Sequence, residues 1–371
     1  MLSMNNILQS ILYFFLIFSC GLISSISKIK YLSLKFRDKY YSISKLAYIF
    51  CFFILFVFAG FRGSSIGNDT IAYIDLFRDV LNYSLINERF EIGYLALNKL
   101  VAYFSSNVQS IIIVTSAISI YGYYRFIKKH SLSIFLSVFL FFSLRYFDAS
   151  MNIIRQVIAM ILLFESYNCL IQKKNIKFFV FVVFAMTFHK TAIVFSIICL
   201  LTRFKLSLKN ILLFVLVGIG LSIGFSSVFN YVINLFPTYA YYVDGEYFGE
   251  TRTASIMILL INVVVLLMSY FILKGKREID KSYVLQFYIV LTGTMITLVS
   301  LNFNLFDRIA VYFNSFIILL LPNVISLIRR KKLRIIIYLI VILFGISYYY
   351  IIITYRPDWN HVYPYKFYWN D

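Results

Sequence analysis

Polar side chains are scarce in this 371-residue sequence, and the shortages narrow its class before any motif is sought. Only 14% of the residues are charged; there are three histidines, four cysteines and four prolines, against 61% hydrophobic and 20% aromatic residues. Too little polar surface remains to coat a soluble domain of this length, whereas a polytopic helical membrane protein needs no more. Strand-like alternation is missing, which argues against a transmembrane barrel. The cysteines Cys20, Cys51, Cys169 and Cys199 all lie in apolar runs and lack metal-ligand spacing, so they read as small core residues. There is no P-loop, no His-Glu-x-x-His and no nucleophile elbow. No internal repeat or low-complexity linker interrupts the chain, which reads as one transmembrane domain over residues 1–371.

What is present is a series of apolar runs of about 20 residues, the length that crosses roughly 30 Å of hydrocarbon. The net charge of +19 comes from 35 basic and 16 acidic residues. The basic ones sit in short clusters between the runs, which is the mark of cytoplasmic loops and not of a nucleic-acid surface. Alternating the clusters across a membrane gives an all-α fold of about 12 crossings. The first, Ile7 to Ser25, has no basic leader and no cleavage site, and reads as a retained span. A basic loop from Lys28 to Lys45 follows inside, and Leu46 to Phe61 returns to the outer face. Thr70 to Leu81 carries apolar residues every third position and polar ones opposite, which predicts a helix lying in the interface. Glu91 to Ser105 is too short to cross and reads as a second in-plane or re-entrant segment. The run Phe178 to Leu201 is cut by His189-Lys190 and has basic residues at both ends, so it is expected to be a hairpin with short arms. Its tip would then lie outside. The aromatic tail, 355–371, also falls outside and suits an interfacial belt.

This topology gathers the polar residues that could do chemistry on one face, in loops around 62–107 and 227–252 and at the outer turns. Arg62, Arg145, Arg155, Arg252 and Arg308 converge there from separate spans. Arginine near a helix end in an apolar bundle is costly unless it meets an anion, and its planar fork suits phosphate. Arg145 with Asp148, and Arg308 with Asp307, could equally be local ion pairs. Arg155 stands one turn inside its span beside Gln156 with no acid adjacent in sequence. Asp69 could cap the following helix or, held by a glycine-permitted turn, act as a base. His189 could cap its hairpin, contact phosphate or handle a proton. Glu165 reads as a buried tether between helices.

Several of these residues fall in a pattern. Arg62 precedes Gly67-Asn68-Asp69-Thr70-x-x-Tyr73-x-x-x-Phe77, and Phe90-Glu91-x-Gly93-Tyr94 follows. Further on come Ile154-Arg155-Gln156, Phe188-His189-Lys190-Thr191-Ala192, Arg308-x-x-x-Tyr312-Phe313 and Tyr363-Pro364-Tyr365. In order and spacing this resembles the EpsG family of Wzy-like bacterial polysaccharide polymerases, over most of the chain. The family's usual Gly-Thr-Asp-Thr is Gly-Asn-Asp-Thr here, with the aspartate kept. The resemblance implies a GT-C-like glycosyltransferase in the bacterial cytoplasmic membrane, with its active face extracytoplasmic. It would join oligosaccharide repeat units carried on undecaprenyl diphosphate into O-antigen, capsule or exopolysaccharide. Asp69, Glu91 or His189 would serve as the base, and Arg62, Arg155, Gln156, Lys190, Arg252, Arg308 and Tyr312 would hold the diphosphate and substrate. No metal or other cofactor is expected, because the arginines can supply the positive charge. Partners would be the lipid-linked donor and acceptor, membrane lipid, a chain-length regulator and a flippase, and no nucleic acid. Two alternatives share the same arginines: a flippase or exporter of lipid-linked sugar, and a ligase that moves finished polymer to another acceptor.

Overall fold

The computed structural model describes residues 33–36, 39–82, 90–235, 253–276, 278–356 and 359–370, with side chains described from Leu46 onward except at 226–235. The expected first span, Lys28 and Lys30 of the basic loop, and most of the 227–252 loop with Arg252 lie outside the described residues. Among the described residues the architecture is helical apart from one hairpin, β1 (Ser33–Phe36) paired antiparallel with β2 (Lys39–Ser42). The sequence alone had suggested a plain loop there.

The helices are α1 (Ile43–Gly60), α2 (Thr70–Leu81), α3 (Ile92–Phe104), α4 (Gln109–His130), α5 (Ile134–Ser143), α6 (Tyr146–Asn152), α7 (Ile154–Ile171) and α8 (Asn175–Met186). A 3-10 helix (Lys190–Ile197) runs into α9 (Ile198–Leu201). Then come α10 (Leu208–Leu235), α11 (Thr253–Lys274), α12 (Lys281–Ser300), α13 (Phe306–Asn314), α14 (Ile317–Ser326) and α15 (Lys331–Tyr355). Seven segments among the described residues are long and apolar enough to cross a membrane, α13 and α14 counting as one, and the bent pair α5 and α6 makes an eighth. The amphipathic helix expected at Thr70 to Leu81 has those bounds. The short segment after Glu91 is helical and too short to span. Helix α8 stops at Met186, and the 3-10 helix starts at Lys190, so a break falls where His189-Lys190 was expected to interrupt the run.

The chain divides into two compact units, Met1–Lys190 with Arg330–Asp371, and Thr191–Arg329. In the first, α4 and α7 pack so closely that a Cβ added at Gly122 would overlap the Ile161 side chain. The α5–α6 pair is bent by 55°, with Arg145 at the bend in the left-handed region, φ 65°. Helix α15 lies along α5, where Gly345 admits the Phe139 ring and the Tyr338 and Ser133 hydroxyls meet at 2.9 Å. The second unit ties its apolar helices with buried polar contacts. Asn314 accepts from Asn262 and donates to Thr297, both at 2.9 Å, while Asn323 donates to Gln286 at 3.1 Å. Interhelical bonds of this kind contribute about 0.6–2 kcal/mol each in a membrane, where packing by itself provides no hydrophobic drive.

Candidate functional site

The loop that follows α1 is built around an arginine turned inward. Arg62 is 1% exposed. Its guanidinium donates to the Ala59 carbonyl, to Ser116 Oγ at 3.2 Å and to the Met151 carbonyl at 2.9 Å, so one side chain joins α1, α4 and α6. Gln109, at the start of α4, donates to the Gly60 and Arg62 carbonyls at 2.8 and 3.1 Å. The C-terminal tail closes the other side. The Gly63 amide donates to the Lys366 carbonyl at 2.9 Å, Tyr368 N–H to the Phe61 carbonyl at 3.0 Å, and Gly67 N–H to the His361 carbonyl at 3.0 Å. Tyr363 is 3% exposed, its hydroxyl against that of Tyr349, so this part of the tail is core and not the interfacial belt expected for it. Trp369 is 57% exposed.

Gly67 shows why glycine is required at its position. Its φ is +87°, and a Cβ there would sit 2.8 Å from the Met151 carbonyl oxygen. The turn delivers Asp69 to the N-cap position of α2, yet the Asp69 side chain makes no capping bond. Its backbone N–H instead donates to Asn152 Oδ1 at 3.2 Å, and Asn152 Nδ2 donates to Asn360 Oδ1 at 3.0 Å. A buried amide pair from α6 and the tail thus fixes where the half-buried Asp69 stands.

The second cluster gathers on Arg155, in the first turn of α7. Its guanidinium forms an ion pair with Glu91, the two side chains being 20% and 11% exposed. It lies over the Phe90 ring, 4.9 Å from the centroid. The other Glu91 oxygen takes the Lys190 backbone N–H at 3.5 Å. Gly93 allows this meeting: its N–H donates to the Thr187 carbonyl at 2.7 Å, and a Cβ would stand 2.7 Å from that same oxygen. Tyr94 is fully buried with its ring 5.4 Å from that of Tyr73. Phe90, Glu91, Gly93 and Tyr94 each therefore have a separate physical task. His189 is half-buried in the turn after α8, Gln156 is buried beside Arg155, and Lys190 is exposed.

Tyr73 connects the clusters. Burial pushes its phenol up from the ordinary value, the Arg155 guanidinium pulls it back, and the Asp69 charge adds to the rise. It therefore stays a neutral hydroxyl that feels both the Asp69 carboxylate and the Arg155 guanidinium.

The other expected residues have partners of their own or are exposed. Arg145 and Asp148 form the local pair, 2.8 Å apart and 2% and 0% exposed, with the Arg145 guanidinium also donating to the Trp359 carbonyl at 2.6 Å. In the second unit, Asp307 accepts from Ser255 at 2.7 Å and Ser300 at 2.6 Å, while Arg308 is exposed. Tyr312 is buried, its hydroxyl 3.1 Å from that of Thr191. Glu165 links α7 to α4 through Arg125 at 3.0 Å, a tether as expected but part-exposed. Sequence reasoning passed over Asn152, Asn360 and Phe90 as functional. Only the Phe90-Glu91 adjacency could have pointed to one of them, as an aromatic shelf beneath an arginine. No group of three or more His, Cys, Asp or Glu side chains suited to a metal occurs among the described residues.

These features define a multi-pass helical membrane protein with a glycine-shaped loop and an arginine–carboxylate cluster at the ends of its helices. The EpsG family model matches residues 45–367, and the chain belongs to that family, one of Wzy-like, polysaccharide-polymerase-type proteins. No curated protein and no solved structure matches it.

Proposed function

We propose that the protein polymerises undecaprenyl-diphosphate-linked oligosaccharide repeat units at the outer face of the bacterial cytoplasmic membrane. The observation that carries this reading is the Arg155–Glu91 pair over Phe90, part-open to solvent, in a chain of this family. The donor diphosphate is the natural competitor for that arginine, because it offers the same bidentate acceptor geometry with more charge. Taking Arg155 releases Glu91. The acceptor sugar hydroxyl then attacks the anomeric carbon of the donor and the bond from that carbon to the diphosphate oxygen breaks. The lipid diphosphate leaves, stabilised by Arg155, and the hydroxyl proton passes to a base. Asp69 is the first candidate base, Glu91 the second and His189 the third. Lys190 and Gln156 support the anion beside Arg155. Arg62 already has protein oxygens around its guanidinium and braces the loop. Arg252, Arg308 and Tyr312 are separate binding candidates, each to be tested by its own variant.

The proposed topology has about twelve crossings in a GT-C-like fold: the eight recognised segments, residues 7–25, α1, α8, and the 3-10 helix with α9. A chain-length regulator and a flippase are the partners such a reaction calls for.

The test is the size-resolved lipid-linked glycan profile of cells lacking the protein. Single repeat units on lipid with the long ladder gone is the expected result. A persisting ladder of unattached polymer would overturn the reading in favour of a ligase, and repeat units trapped on the inner leaflet in favour of a flippase.

A further inference from the structure

Helices α4 and α7 bear the Arg62–Arg155 region at one end and something different at the other. Beside the close contact of Gly122 with Ile161, and lined by both, lies an open groove of about 370 Å³, within the range of ligand pockets. Its floor is apolar: Phe126 and Phe164 stack in parallel, 3.8 Å between centroids, and Phe181 of α8 forms a wall. Its mouth carries Arg125, Lys129 and Glu165. Glu165 is engaged by Arg125 at 3.0 Å and accepts from Asn168 at 3.4 Å, which leaves Lys129 as the net charge of the rim. Lys128, Lys173 and Lys174 lie exposed on the adjoining helix end and turn. Tyr121, which also lines the groove, is 59% exposed. The site therefore joins an apolar trough, open at Tyr121, to a cationic lip at the basic end of α4.

We propose that this groove binds one anionic phospholipid, an acyl chain along Phe126, Phe164 and Phe181 and the headgroup phosphate at Lys129 and Arg125. Each half of the ligand meets its own chemistry. A neutral headgroup would leave the lysine rim uncompensated, and a free phosphate would leave the aromatic trough empty. The helix end that holds the groove is the basic end, where anionic lipid is attracted electrostatically. The proposal is independent of the polymerase reading, since it concerns the opposite end of α4 and α7.

Native mass spectrometry of the purified, delipidated full chain tests it, by titration with phosphatidylglycerol, phosphatidylcholine and inorganic phosphate. One phosphatidylglycerol should bind with at least a several-fold preference over phosphatidylcholine. Lys129→Gln should lower that preference about five-fold, in keeping with roughly 1 kcal/mol per surface basic residue. Phe181→Trp, which narrows the trough and keeps every charge, should also weaken binding. The paired variant Lys173→Gln/Lys174→Gln should change it less than Lys129→Gln alone. Equal binding of the two lipids, an unaffected Lys129→Gln, or an equal loss in the lysine-turn control would overturn the proposal. Competition by inorganic phosphate at equal strength would overturn it in favour of a free-anion site.

Discussion

At the scale of single residues, Asp69 and the Arg155–Glu91 pair make different demands on the fold, and substitution separates them. The Asp69 side chain caps nothing, so Asp69→Asn should leave thermal stability within about 0.5 kcal/mol of the parent. If Asp69 accepts the proton, the same change should slow repeat-unit joining by about 10²–10⁴-fold while lipid-linked substrate still binds. Unchanged turnover in a membrane assay would remove Asp69 from the reaction and promote Glu91. The ion pair behaves otherwise. Its side chains are 20% and 11% exposed, so losing one partner strands a mostly buried charge. Glu91→Gln should destabilise by about 1–3 kcal/mol, below the cost of a fully buried pair because water still reaches the site. Arg155→Lys keeps the charge but loses the fork and the stacking on Phe90, so it should weaken substrate binding even where stability recovers. A double-mutant cycle on melting temperature, with binding read in parallel, checks both. Additive effects of Arg155 and Glu91 changes would mean that the pair contributes no coupling.

At the scale of elements, the glycines decide whether these residues meet. Gly67→Ala forces a Cβ into the left-handed region and against the Met151 carbonyl, and Gly93→Ala pushes one against Thr187. Each should destabilise by about 1–3 kcal/mol. Gly93→Ala should in addition lift α3 from the turn after α8, leaving Arg155 more reachable by a guanidine-directed reagent; unchanged reactivity would count against that coupling. The elements themselves were legible because their signals are local. Apolar runs closed by lysine clusters marked α4, α7, α11, α12 and α15, and a three-residue period marked α2 to its bounds. His189-Lys190 marked the break after α8. What stayed hidden depends on pairs distant in sequence. Glu91 and Arg155 are separated by 64 positions, and Asn152 and Asn360 by 208, so no window on the sequence contains either partnership. Arg155 looked acid-free for that reason. Arg62 looked like a ligand holder, and only the tertiary fold shows the Ala59, Ser116 and Met151 oxygens around it.

At the scale of the whole molecule, the last membrane-length helix ends at Tyr355, yet the tail beyond it is bound to the first loop and not left in solution. Three backbone bonds join 361–368 to 61–67, Asn360 holds the amide that orients Asp69, and Trp359 supplies a carbonyl to Arg145. Local folding of α1 and α2 cannot close that loop, because its partners are made some three hundred residues later in the chain. Removing residues 357–371 should therefore separate insertion from activity. Every membrane-length helix among the described residues precedes the cut, so the truncated chain should reach the membrane in normal amount. Its 61–69 loop, outside in the proposed topology, should become open to protease added from that side, since the amides of Gly63 and Gly67 would lose their acceptors. Polymer production should fall to background. Asn360→Gly, which deletes the bond to Asn152 and suits the left-handed backbone there, φ 68°, should lie between parent and truncation in both assays. A truncated protein that still polymerises with a protected loop would show that the tail plays no part in building the site.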